Sequence, residues 1–121
     1  MVKTKLKPVL PSLREKKRYL VFEVISREKI NDFGPVSEAI QSCALDFLGR
    51  IGTAKAGIIA LSNKWNPQLQ RGIIKIGHRN VDAVKAALTF IHKIGNTDAI
   101  FRSVGVSGIL RKAENKFLKN T

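Results

Sequence analysis

The sequence predicts an α+β fold of order β-α-β-β-α-β, with a basic N-terminal arm and a C-terminal helix added. Three observations predict it. Tyr19 to Ile25 is β-branched and aromatic, contains no Gly or Pro, and alternates an apolar set (Leu20, Phe22, Val24) with Tyr19, Val21 and Glu23, as a strand with one buried face does. Two stretches, 35–50 and 81–94, carry apolar residues at three- and four-residue spacing, which marks helices. Two Ile-rich stretches, 55–64 and 69–78, flank Trp65-Asn66-Pro67-Gln68 and read as a β-hairpin. Each half of the chain is thus strand, helix, strand, the ferredoxin-like split βαβ pattern. That pattern implies a four-stranded antiparallel sheet, its first and third strands central and its helices on one face.

The elements follow in order. Residues 1–12 hold Pro8 and Pro11 among Lys3, Lys5 and Lys7, and are expected to form an extended basic arm. The first strand is expected over 17–26. Pro35 suits a first helical position, with Glu38 in the first turn near the positive end of the dipole. Val36, Ile40, Cys43, Ala44, Phe47, Leu48 and Ile51 form the stripe of this helix, expected to stop near Gly49 or Gly52. It is nearly free of basic residues. In the second hairpin arm Ile74 and Ile76 are expected to face the core, with Arg71, Ile73 and Lys75 outward. Asn80 suits an N-cap, Asp82 the first turn, and Gly95-Asn96 a stop for the second helix. Residues 97–107 make the fourth strand, where Gly105 marks a bulge or a close backbone approach. Ser107 suits the cap of a last helix, 108–119, with Leu110, Ala113 and Phe117 on one side and Arg111, Lys112, Lys116 and Lys119 around the rest. The whole chain reads as one domain: arm 1–12, core 13–107 and basic C-terminal helix 108–119.

A chain of 121 residues can bury roughly two-thirds of its unfolded surface, enough for a core without staples. The single Cys43 excludes an intrachain disulfide and sits in an apolar helical stripe, which predicts a buried thiol. No apolar run approaches the roughly 20 residues that span a membrane, and the basic N-terminus lacks the apolar segment of a signal peptide. A soluble, cytoplasmic protein without a membrane partner is expected.

The net charge is +13, and its distribution carries more meaning than its size. Residues 1–20 are net +6 and residues 102–121 net +4, so the ends hold ten of the thirteen surplus charges. Surplus charge repels itself and does not help folding, which points to a polyanionic partner. Nucleic acid fits first, because neutralised phosphates release counterions.

Enzyme chemistry finds little support. His78 and His92 lack ligands at metal-binding spacing, no acid pair stands out, and no Walker-type loop is present. The fold pattern also occurs in acylphosphatases, but Arg27 after the first strand lacks their glycine-containing phosphate cradle. Base stacking on the open sheet face needs aromatics on the first and third strands. The third strand offers Arg71-Gly72-Ile73-Ile74-Lys75-Ile76 instead, and Tyr19 alone suits a platform. The face is therefore expected to be covered by the terminal helix through Leu110, Ala113 and Phe117, leaving recognition of RNA backbone by cations. Arg14, Lys16, Lys17 and Arg18 at one end, and Arg102, Ser107, Gly108, Arg111 and Lys112 at the other, are the candidate contacts, with Arg71 and Lys75 on the sheet. The two glycines of the 102–108 run and the following helix N-terminus suit a phosphate. Against this stands an ordinary Ser-capped helix after a bulged strand. Trp65, near the hairpin tip, is a candidate contact for a protein partner, unless it folds back onto its own sheet.

Two segments, LREKKRYLVFEV at 13–24 and FRSVGVSGILRKAE at 101–114, resemble the archaeal and eukaryotic ribonuclease P protein component 2 family, and the elements between them fit in order and spacing. The resemblance implies an RNA-recognition-like fold without the usual aromatic platform. It implies a subunit of the endoribonuclease that removes the 5′ leader from precursor tRNA, in which the RNA carries the chemistry with Mg2+ and this chain has no catalytic residue and binds no cofactor. Its implied partners are the ribonuclease P RNA, precursor tRNA through the holoenzyme, and the barrel-like protein component 3, in a heterotetramer around a component 2 homodimer. The alternative is a free-standing RNA-binding module, ribosomal or of another ribonucleoprotein, without a role in tRNA processing.

Overall fold

The computed structural model describes residues 16–118. Arg14, the 1–12 arm and Lys119 lie outside the described residues. Strand β1 (Lys17–Ser26) leads to helix α1 (Phe33–Ala56), strand β2 (Ile59–Ala60) and strand β3 (Arg71–Gly77). Helix α2 (Val81–Leu88), strand β4 (Lys93–Ile94), strand β5 (Thr97–Ser107) and helix α3 (Leu110–Ala113) follow, the last running into a wider π turn over Glu114–Leu118. The sheet has five strands in the order β2-β3-β1-β5-β4, every pair antiparallel. The expected four strands are present, and the two-residue β4 is the fifth.

Alternation along β1 sorts the molecule into layers. Leu20, Phe22 and Val24 face α1 and α2, packing with Ile74, Ile76, Phe101, Val36, Ile40 and Leu88. Val21 and Ile73 point the other way and are fully buried beneath Ala113 and Leu118, with Tyr19, Val104, Leu110 and Phe117 around them. The C-terminal segment thus covers the second sheet face, through the three side chains expected to do so. Ile73, expected to face outward, is sealed by that cover. Burying an aliphatic side chain of this size contributes about 1.5–3 kcal/mol, enough to hold a short segment in place.

Several boundaries differ from expectation. α1 begins at Phe33 behind Asp32, so Pro35 lies inside the first turn, where its missing N–H costs nothing, and Glu38 lies beyond it. Gly49 does not end the helix. It kinks it, at φ +74°, a conformation open to glycine, and helix resumes until the left-handed Gly57. The stretch expected as strand 55–64 is therefore mostly helix end and a 3₁₀ turn at Ser62–Lys64, with only Ile59–Ala60 paired to β3. α2 stops at Leu88, not Ile94, and Gly95-Asn96 is the turn of the β4–β5 hairpin. Ile91 and Ile94 are buried all the same, from the connecting segment and from β4. Ser107 is not a helix cap. Ile109 precedes α3, and Ser107 Oγ accepts from the Ile109 N–H at 3.1 Å in a turn before it.

The long loop between β2 and β3 is ordered by its own amides. Asn66 Oδ1 accepts from the Gln68 and Leu69 N–H groups at 2.9 and 3.1 Å. Gln70 pairs with the backbone of Ile30 in both directions, at 3.0 and 2.8 Å. The same loop grips the C-terminal segment. Asn66 Nδ2 donates to the Leu118 carbonyl at 2.7 Å, and Lys64 pairs with Glu114 at 2.6 Å.

Candidate RNA interface

Antiparallel pairing decides which cations meet. Lys17 stands opposite Gly77, and Tyr19 stands between Lys75 on one side and Ser107 on the other. The start of β1 and the ends of β3 and β5 therefore share one end of the sheet. The Lys16 carbonyl accepts the His78 N–H at 2.7 Å, which brings His78 and Arg79 to the same end. The Arg18 guanidinium lies over Gly108, Nη1 3.3 Å from where a side-chain carbon would begin there, so a larger residue would crowd it. Arg111 and Lys112, both exposed, follow in the first turn of α3. Lys16, Lys17, Arg18, Lys75, Ser107, Gly108, Arg111 and Lys112 thus converge, although the chain separates the two groups by some ninety residues.

Lys17 has a second neighbour. Its Nζ approaches Gly57, the residue that ends α1. Carbonyls at a helix C-terminus carry partial negative charge, so the ammonium is held there while staying exposed.

Arg71 and Arg102 do not join the cluster. Glu23 on β1 receives both, Arg102 through Nε at 3.0 Å and through Nη2, Arg71 through Nε at 3.6 Å. Arg71 Nη1 also donates to the Phe117 carbonyl at 2.9 Å. Glu23 is five residues along β1 from Arg18, about 16 Å at the rise of a strand. These two arginines are partners of a buried-edge carboxylate, and Arg71 is also a clasp on the C-terminal segment. The expected nearness of Arg102 to Arg111 fails for the same reason, since Arg102 pairs at Glu23 and the chain reaches the other end of the sheet before α3 begins. α3 is a single turn before it widens, too short for its N-terminus to act as a strong dipole on a phosphate.

Trp65 folds back. It packs on Phe22 and Phe33 at ring distances of 6.2 and 5.8 Å and lies against Gly72. A projecting contact at the hairpin tip is corrected to a half-buried member of the core. Gly105 lies beside the bulge at Val104, and a side chain on it would overlap the Phe117 ring.

His78 and Arg79 were missed by sequence reading. The signal was present: if β1 and β3 are antiparallel neighbours, the residues leaving β3 stand beside those entering β1. Glu23 as a shared acceptor gave no such signal, because its partners are distant in the chain.

The chemistry of the chain is that of a binder. Cys43 donates its thiol to the Ala87 carbonyl at 2.8 Å, and burial, with the Asp46 carboxylate second, pushes its pKa above the ordinary thiol value. A thiol so placed is protonated and a poor nucleophile. Among the described residues no three of His, Cys, Asp and Glu converge on a metal position, and no helix is long and apolar enough to cross a membrane.

Residues 18–118 match the family model described as the Rpp14/Pop5 family. Several curated relatives carry the name ribonuclease P protein component 2. That of Thermococcus gammatolerans is 34% identical over 117 residues, covering 97% of this chain and 95% of the relative. That of Pyrococcus furiosus is 38% identical over 112 residues, covering 93% and 91%. That of Methanosarcina acetivorans is 39% identical over 115 residues, covering 95% and 83%.

Proposed function

This chain belongs to the Rpp14/Pop5 family and is a protein subunit of ribonuclease P, the endoribonuclease of tRNA 5′-leader removal, and from that premise we propose that its cationic sheet end holds RNA phosphates and so stabilises the active fold of the catalytic RNA. The observation that carries the reading is the convergence of residues 16–18 with residues 107–112, fixed by the register of β1 and β5 and by Arg18 over Gly108.

The physical argument is electrostatic. Folding an RNA active site brings phosphates together, and their repulsion opposes the compact state. Cations mounted on a sheet lose little entropy when they bind, unlike cations on a free tail. A group held within about a Debye length, roughly 8 Å at physiological salt, acts on the phosphates as a unit. Lys16, Lys17, Arg18, Lys75, Arg111 and Lys112 are the proposed contacts, joined by Arg79 and by Arg14 beyond the described residues. Ser107 and Gly108 shape the turn between them. Arg71 and Arg102 act through Glu23 and are not assigned to RNA. The Mg2+ that the RNA chemistry needs belongs to the RNA, since the residues described here form no metal site.

Strand order β2-β3-β1-β5 with α1 and α2 on one face supports the ferredoxin-like, RNA-recognition-like reading. The cover over the second face supports backbone recognition over base stacking. Component 3 is the proposed protein partner, in a heterotetramer around a pair of these chains, and the cytoplasm the proposed compartment.

The test is cleavage of precursor tRNA by the ribonuclease P RNA with this chain and component 3, across a magnesium series. Substituting Lys17, Arg18, Arg111 and Lys112 together by Ala should raise the magnesium needed for half-maximal cleavage. Unchanged cleavage at every magnesium concentration would refute the reading. Cleavage indifferent to the wild-type chain, with RNA binding still salt-sensitive, would favour a free-standing RNA-binding module.

A further inference from the structure

The far end of the helical layer carries the opposite chemistry to the cationic end. Phe47 on α1 and Phe90, just past α2, stack on each other with ring centroids 4.4 Å apart, yet remain 52% and 59% exposed. Ile51 continues the strip along α1, 73% exposed. Phe47 and Ile51 belong to the apolar stripe that the sequence assigned to the core, and the kink at Gly49 lies between them. Beside the ring pair runs a groove of about 340 Å³, with Glu38 and Asp46 on the α1 wall and Lys93 opposite. α1 carries no Lys or Arg before Arg50. Glu38 and Asp46 enter no ion pair among the described residues, while Lys93 stands opposite Asp98 across the β4–β5 hairpin.

We infer that this ring pair and groove form a protein-docking surface, taking an apolar segment of another ribonuclease P protein subunit that presents an arginine or lysine to Glu38 and Asp46. The inference rests on the subunit reading above. Two stacked rings held open to water are the kind of anchor on which interface energy concentrates. Unpaired carboxylates on a strongly basic chain select a cationic partner and repel phosphate, so the rings do not serve as a base-stacking platform. The arrangement separates tasks: RNA at the cationic end, protein at the helical end.

The test uses component 3 as the probe, with the full-length chain. Binding would be measured by calorimetry for the wild type, for the double variant Phe47→Ala, Phe90→Ala, and for Glu38→Lys, Asp46→Lys. Both side-chain pairs lie on the surface, and thermal unfolding together with salt-sensitive RNA binding would report that the fold is kept. The ring variant is expected to bind at least about thirtyfold more weakly, the charge variant to weaken as well, and RNA affinity to hold in the ring variant. Binding of component 3 to the ring and charge variants as tightly as to the wild type overturns the surface and leaves the subunit reading standing. No binding by the wild type overturns the partner assignment with it. Loss of self-association in the ring variant, with component 3 still bound, assigns the strip to a second copy and overturns the inference. A fall in RNA affinity in the ring variant, with component 3 still bound, assigns the rings to RNA and overturns it too.

Discussion

Substituting Gly105 by Ala puts two effects of opposite sign in competition. In an open strand, Gly→Ala stabilises by about 0.4–1 kcal/mol, because the unfolded chain loses freedom that the folded chain never had. Gly105 is not at a positive φ, so backbone strain does not enter. Here the added carbon would overlap the Phe117 ring, which lies flat on β5 as part of the cover over Val21 and Ile73. The ring must move, and overpacking of this kind costs about 1–3 kcal/mol. The second effect is larger, so Gly105→Ala should destabilise by about 1–2 kcal/mol net, or lower the midpoint of thermal unfolding by about 4–8 °C. Urea unfolding of four proteins decides it: wild type, Gly105→Ala, Phe117→Ala and the double variant. With the ring already gone, Gly105→Ala should turn neutral or stabilising, a reversal of sign that a general strand effect does not produce. A Gly105→Ala protein as stable as the wild type, or the same cost in both backgrounds, would refute the packing argument.

Other consequences are as direct. Arg71→Met removes one partner of Glu23 and the donor to the Phe117 carbonyl, and should cost about 1–3 kcal/mol in urea unfolding with little change in RNA affinity. The joint Ala substitution of Lys17, Arg18, Arg111 and Lys112 should lower the slope of log affinity against log salt by about 3 in filter-binding titrations, since each lost phosphate contact removes a little under one unit. The Cys43 pKa is raised on folding, so its contribution is whole below the ordinary thiol value of 9.0 and is lost as pH climbs through that value toward the folded one. Cys43→Ala should therefore flatten the alkaline fall in stability relative to wild type, as measured by denaturation from pH 8 to 11. Native Cys43 should also react slowly with an alkylating reagent at pH 8 and quickly in denaturant.

Legibility in the sequence followed the range of the forces involved. β1 was readable because its alternation is local and its buried face uniform. The cover by Leu110, Ala113 and Phe117 was readable because the sheet offered aliphatics where a base platform needs aromatics. The end of α1 was not. A glycine in a helix costs only about 1 kcal/mol, and the helical turn after Gly49 brings Ala56 into the core, which outweighs it. Gly95-Asn96 serves a helix stop and a hairpin turn equally well, and only the pairing of β4 with β5 chose between them.

The same division holds for the site. By itself the sequence determined that this chain is a basic α+β protein whose surplus charge sits at its two ends, because composition and periodicity are properties of neighbours along the chain. Its resemblance to a family was likewise carried by contiguous motifs. Which cations act together was decided only by the tertiary structure. The register of β1 against β5 joins Arg18 to Gly108 and gives Arg102 to Glu23, 79 residues away. Kink, groove and register left Phe47 and Phe90 stacked in the open. Antiparallel pairing converts sequence distance into proximity, and a charge has no assignment until its neighbours across the sheet are known.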